Sequence, residues 1–272
     1  CVNVNKGTQF RGRWFKARMS SPFRKRVRSP RRLASSQGAC EQDVLFERFT
    51  AWQRQHAWRH LDAVERVWAT SDLHVEHAAN MEFVRGLKGY EKDAVVVAGD
   101  VCTSLILLRE ALTLLVERFK HVFYVVGNHD LWHDAKQPLD GADSFEKLLA
   151  CYEIAEDVGA HAAPALLGSG ATGVAVVPLQ SWYHFGFLGG GPVVDMPKSH
   201  ELRMMDSGCR WPSPLGSSST SAEPARFFAK CNEEILSQAL SAEGRVWLLG
   251  DDSDGKENED EDEAPAGKRQ KR

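Results

Sequence analysis

Residues 121–130 read His121-Val122-Phe123-Tyr124-Val125-Val126-Gly127-Asn128-His129-Asp130. The first six form a β-branched and aromatic run, the composition of a strand buried on both faces. The glycine that follows lets the backbone turn sharply at the end of that strand. A carboxamide, an imidazole and a carboxylate come next. Polar side chains of this kind at the carboxyl end of a buried strand mark the place where an α/β sheet carries its chemistry.

The same construction occurs twice upstream. Arg66-Val67-Trp68-Ala69-Thr70 reads as a short strand and runs into Ser71-Asp72-Leu73-His74. Ala94-Val95-Val96-Val97-Ala98 reads as a fully buried strand and runs into Gly99-Asp100. The carboxyl ends of neighbouring strands converge on one crevice. Asp72, His74, Asp100, Asn128, His129 and Asp130 are therefore expected to meet. Carboxylates with imidazoles suit manganese, iron and zinc. Asp-x-His at an extended strand end puts both side chains on one side.

The elements between these strands support an alternating α/β order. Val44 to Val64 has helical spacing of Leu45, Phe49, Trp52, Trp58, Leu61 and Val64. Thr103 or Ser104 can cap a helix with Leu105, Leu108, Leu112, Leu115 and Phe119 on one face. Residues 144–158 read as a helix and 173–179 as a strand. The Gly-, Ser- and Pro-rich stretch 186–224 reads as a long loop or insertion. Phe227, Cys231, Ile235 and Leu236 mark a further helix, and Arg245 to Leu249 a last strand.

The 272 residues are 43% apolar and 26% charged, which excludes fibrous and wholly disordered classes. No apolar run is long enough for a membrane-spanning helix, so no membrane partner is expected. The net charge of -3 hides three regions. Residues 1–40 carry eleven Lys or Arg and no Asp or Glu. Residues 41–250 are acidic on balance and read as the folded domain, and 251–272 form a charged tail too polar to fold. The first segment has the composition of a plastid or mitochondrial transit peptide, of a nuclear or nucleic-acid-binding arm, or of disordered sequence without a fixed role. Lys268 to Arg272 resembles a nuclear-import patch. The chain starts at Cys1 and not at Met, so its true N-terminus is expected to lie upstream. Six scattered cysteines without a C-x-x-C pair fit a reducing, intracellular compartment.

The set Asp72-x-His74, Gly99-Asp100 and Gly127-Asn128-His129-Asp130, each after an apolar strand, resembles the calcineurin-like metallophosphoesterases. The resemblance covers about residues 65–185. Asn80-Met81-Glu82-Phe83-Val84-Arg85 and Ser181-Trp182-Tyr183-His184 look most like a plant and algal branch of that family. It implies a four-layer α/β/β/α sandwich and a hydrolase of phosphate mono- or diesters that uses two divalent ions, Mn, Fe or Zn. Asp72 and His74 would hold the first ion, Asp100 would bridge both, and Asn128 would bind the second. Two ions about 3.5–4 Å apart polarise the phosphoryl oxygens for in-line attack. His129 would protonate or stabilise the leaving oxygen, and Asp130 would orient its imidazole.

The chain departs from the family pattern in two places. The second motif usually reads Gly-Asp-x-x-Asp, and here Thr103 stands at the last position. The family also carries a further histidine and a Gly-His-x-His near its C-terminus, whereas this chain has no Gly-His dipeptide. C-terminal truncation of the fold, through splicing, a frameshift or a faulty gene model, is the expectation that follows. His184, next to Trp182 and Tyr183, is a candidate additional ligand. Cys102 is conceivable as a soft ligand but reads as a small buried apolar residue. Two alternatives to an active phosphoesterase remain: a catalytically impaired product acting by binding, and a nucleic-acid-associated protein working through its basic arm. The missing histidines separate the active enzyme from the impaired product. Salt-sensitive binding that depends on residues 1–40 would mark the nucleic-acid-associated protein.

Overall fold

The three apolar runs that end in polar loops lie side by side. In the computed structural model, which describes residues 15–16, 40–133, 143–169, 173–184, 205–216 and 221–240, β3 (Val67–Thr70), β4 (Ala94–Ala98) and β5 (Lys120–Val125) pair in parallel. Val67 stands opposite Ala94, and Ala94 opposite His121. β1 (Phe15–Lys16) adds antiparallel to β5, giving the order β1-β5-β4-β3. A second sheet is built from β2 (Arg59–Leu61), β6 (Ala165–Leu167) and β7 (Val174–Val176), in that order.

Period-2 alternation along the central strands divides the core in two. Val95 and Val97 of β4, with Val122 and Tyr124 of β5, face a helical layer. There they meet Leu108, Leu112 and Leu115 of α3 (Leu105–Arg118) and Leu148 and Tyr152 of α5 (Ser144–Val158). Ala94 and Phe123 point the other way and pack on Ala165 and Leu167 of the second sheet, with Val96 and Val67 beside them. Helices, sheet and sheet are therefore successive layers of an α/β sandwich, as expected.

Caps set the helix ends. The Ser104 hydroxyl accepts from the Leu107 N–H at 3.4 Å. Asp143 accepts from the N–H groups of Phe145 and Glu146 at 2.9 Å each, and Gly159 closes α5 with a φ of 91°. α1 (Glu41–His56) and α6 (Glu223–Leu240) pack on the same helical core, with the Phe49 ring 6.2 Å from those of both Tyr152 and Phe227. α2 (Ala78–Gly86) follows the first polar loop.

The helix expected over Val44 to Val64 stops at His56. Trp58 takes a φ of 57°, its N–H donates to the carbonyl of Pro164, and the chain continues as β2 alongside β6. Leu61 and Val64 thus serve the space between the sheets and not a helix face. β2 and β6 are three residues each, too short to show a period. The strand expected at 173–179 is confined to Val174–Val176. Within the expected loop, Met205–Gly208 and Ser213–Leu215 form single 3-10 turns, and α6 already starts at Glu223. The expected strand Arg245 to Leu249, nearly all of segment 1–40 and the tail 251–272 lie outside the described residues. No helix among the described residues is long and apolar enough to cross a membrane.

Candidate metal centre

The loops after β3 and β4 stay hydrogen-bonded beyond the ends of their strands. Asp72 N–H donates to Gly99 O, His74 N–H to Asp100 O and Val75 N–H to Val101 O, at 3.2, 3.1 and 2.9 Å. To follow this path Asp72, His74 and Asp100 adopt φ values of 55°, 43° and 54°. Left-handed backbone at non-glycine residues is strained and gathers at functional sites.

Glycines let the loops after β4 and β5 touch. A Cβ on Gly99 would lie 2.5 Å from Gly127 Cα, and one on Gly127 would lie 2.1 Å from Asp100 Oδ1. Against this contact sits Asp130, fully buried. Its carboxylate accepts four backbone N–H groups, from Gly127 (2.8 Å), Asp100 (3.0 Å), Val101 (2.9 Å) and Cys102 (3.0 Å). Burial pushes the Asp130 carboxyl up to about 6, against the pull of the Gly127 and Cys102 donors. Both of its oxygens are engaged with backbone, and no hydrogen bond to the His129 imidazole occurs among the described residues. It braces two loops.

The side chains at the mouth of these loops come together. His74, Asp100 and His129 each offer a ligand atom, and those atoms lie within 4.8 Å of one another. His74 Nε2 is 4.0 Å from Asp72 Oδ1, and its Nδ1 is 3.6 Å from Glu76 Oε1. The His129 ring meets that of His74 edge-on at 4.6 Å and stacks on Trp132 at 3.6 Å. Asp100 Oδ1 accepts the His129 N–H at 3.0 Å, which fixes its orientation. Asn128 joins from α4 (Asn128–Leu131), and its Nδ2 donates to Asp206 Oδ1 at 2.7 Å. Trp132 Nε1 donates to the same oxygen at 2.7 Å. His184 is not part of the His74–Asp100–His129 group.

A mixed set of carboxylate, imidazole and amide donors fits a divalent ion of the manganese, iron or zinc type. The thiols nearby do not add to it. Burial pushes Cys102 and Cys209 up to about 12 and raises Cys151 further, Cys102 Sγ donates to Ser104 O at 3.2 Å, and none of the three belongs to the His74–Asp100–His129 group. Thr103, which replaces the usual carboxylate, offers its carbonyl to Lys147 Nζ at 2.7 Å. Lys147 also donates to the Trp132 carbonyl and is buried, which lowers its pKa.

Sequence reading missed Glu76, Trp132, Lys147 and Asp206. Trp132 directly follows the third loop, and an aromatic three residues past His129 was a usable signal. Asp206 lies in a stretch without period and gave none.

Residues 65–207 match the calcineurin-like phosphoesterase family. This chain belongs to that family. It is similar to the [acyl-carrier-protein] phosphodiesterase PptH of Mycobacterium tuberculosis, with 33% identity over 191 residues, 67% of this chain and 56% of that protein. It thus spans little more than half the length of that relative. The crystal structure of phosphopantetheinyl hydrolase (PptH) from Mycobacterium tuberculosis aligns with a TM-score of 0.44 and 23% identity, over 65% of this chain and 61% of that one. Membership in the calcineurin-like family implies divalent metal ions, and the His74–Asp100–His129 group is the candidate site for them.

Proposed function

We propose that this chain is a metal-dependent phosphoesterase whose active unit falls within residues 41–250. The observation that carries this reading is the convergence of the His74 imidazole, the Asp100 carboxylate and the His129 imidazole within 4.8 Å, at the ends of three adjacent strands. In a dinuclear centre Asp72 and His74 would hold one ion, Asn128 the other, and Asp100 would be shared. Bound divalent ions supply positive charge at the phosphoryl oxygens and offset the acidic core. His129, seated on Trp132, gives a proton to the leaving oxygen. Asp100 fixes the backbone of His129, and Asp130 holds both loops in place. The name of the mycobacterial relative, an [acyl-carrier-protein] phosphodiesterase, supports a phosphodiester as the substrate class, with acyl carrier protein among the substrates to assay.

The test is hydrolysis of bis(p-nitrophenyl) phosphate and p-nitrophenyl phosphate by the manganese-loaded full chain. Asp100→Asn is expected to abolish turnover. His129→Asn should lower kcat by about 10²–10⁴ with little change in Mn²⁺ binding, the range for loss of a general acid. Hydrolysis that survives Asp100→Asn overturns the mechanism. Loss of Mn²⁺ from His129→Asn would make His129 a ligand and take the proton-donor role from it.

A further inference from the structure

An asparagine side chain has two ends of similar shape and opposite chemistry. Its oxygen can ligate a cation, and its NH₂ cannot. A metal site that uses Asn128 therefore needs something to settle which end faces the ions. Asp206 stands against this amide. Its Oδ1 receives Asn128 Nδ2 at 2.7 Å, and an ionised carboxylate only accepts. The amide oxygen is thereby left for the side away from Asp206.

The same carboxylate oxygen takes the Trp132 indole N–H at 2.7 Å. Indole is a donor only, so both partners of Asp206 Oδ1 need an acceptor there. Trp132 in turn carries the His129 ring at 3.6 Å. The segment that holds Asp206 is stapled along the third loop. Cys209 N–H donates to Asp206 O at 2.9 Å, and His133 N–H donates to Gly208 O at 3.0 Å. Gly208 gives Trp132 its seat, since a Cβ there would come within 3.0 Å of Trp132 Cγ. Asp206 is only 7% exposed, so water competes little for these bonds.

We propose that Asp206 is a positioning residue that sets the Asn128 amide with its oxygen toward the metal site and, through Trp132, fixes the plane on which His129 rests. The inference rests on Asn128 being a metal ligand, and the experiment separates the two. Mn²⁺ affinity of the full chain is measured from the electron paramagnetic resonance of free Mn²⁺, with the melting midpoint of the metal-free chain recorded for every variant. Asn128→Ala and Asp206→Ala should each weaken Mn²⁺ binding by about tenfold or more, the scale for ligands and the groups that orient them. Asp206→Asn should stay within about threefold of the parent, because Trp132 keeps the amide oxygen of the new side chain turned inward. Adding Trp132→Phe to Asp206→Asn removes that directing donor while keeping a ring under His129, and binding should then weaken as in Asp206→Ala. This double variant carries the test if Asp206→Ala does not fold. Parent-like binding by the double variant and by any folded Asp206→Ala, with Asn128→Ala weakened, overturns the role of Asp206 alone. An unchanged affinity in Asn128→Ala overturns the ligand reading, and this inference with it.

Discussion

His74 combines an imidazole that points into the candidate centre with a φ of 43°. A Cβ in the left-handed region crowds the following carbonyl, at about 1–2 kcal/mol per residue. Asp72 and Asp100 share that conformation, and the hydrogen bonds between their loops keep all three in place. At an ordinary position glycine is less stabilising than alanine, because it has more freedom to lose. At residue 74 the order should reverse. Denaturant unfolding of the metal-free chain should show His74→Gly more stable than His74→Ala by about 1 kcal/mol. Equal stability, or the ordinary order, would mean that the loop relaxes without strain. The residues of the centre were legible because each follows an apolar strand. Their backbone strain was not, since Asp and His occur in every region of conformational space.

At the scale of elements, Asp130 joins the loops after β4 and β5 as a single acceptor for four backbone donors. Chain order shows it beside His129, which suggested that it orients the imidazole. Convergence of N–H groups from residues 100–102 and 127 appears only once the two strand ends lie together. Asp130→Asn turns an NH₂ toward some of those donors. Hydrogen bonds to a charged group are worth about 1.5–3 kcal/mol each, so the metal-free chain should lose about 3 kcal/mol or more in a denaturant titration. A loss below about 1 kcal/mol would show that the brace is dispensable. Elements with a long helical period or a bounded apolar run, such as α3, α5, β3 and β4, were read at nearly their observed bounds. The three-residue strands of the second sheet were not. β2 was absorbed into the preceding helix because Trp58, Leu61 and Val64 keep helical spacing, while the positive φ of Trp58 ends that helix in the structure.

At the scale of the whole molecule, the two sheets meet over a narrow apolar seam that also contains two histidines. His161 joins the edge of β5, donating to Val122 O at 2.7 Å and accepting from Tyr124 N–H at 2.9 Å, and the chain then runs on into β6 of the second sheet. Its ring lies 5.4 Å from Phe123 and 5.6 Å from the ring of His121. Burial lowers His121 to about 4, helped by the neighbouring Lys120 and opposed by Asp62. Burial lowers His161 to about 3, with His121 and Arg59 adding to it. In the unfolded chain both would titrate near 6.5. Unfolding between pH 6.5 and 4 therefore takes up protons that the native state refuses. The stability associated with neutral rings is fully present above pH 6.5 and is lost as pH falls toward the native values, by about 1.4 kcal/mol per pH unit for each histidine. His161→Phe keeps an aromatic ring in the seam and removes one of these protons. In urea titrations with chelator present, the parent should lose about 2 kcal/mol more than His161→Phe between pH 7.5 and pH 5, because 1.5 of those units lie below 6.5. Identical pH dependence in the two chains would show that the seam opens to water and admits a charged His161 in the folded state.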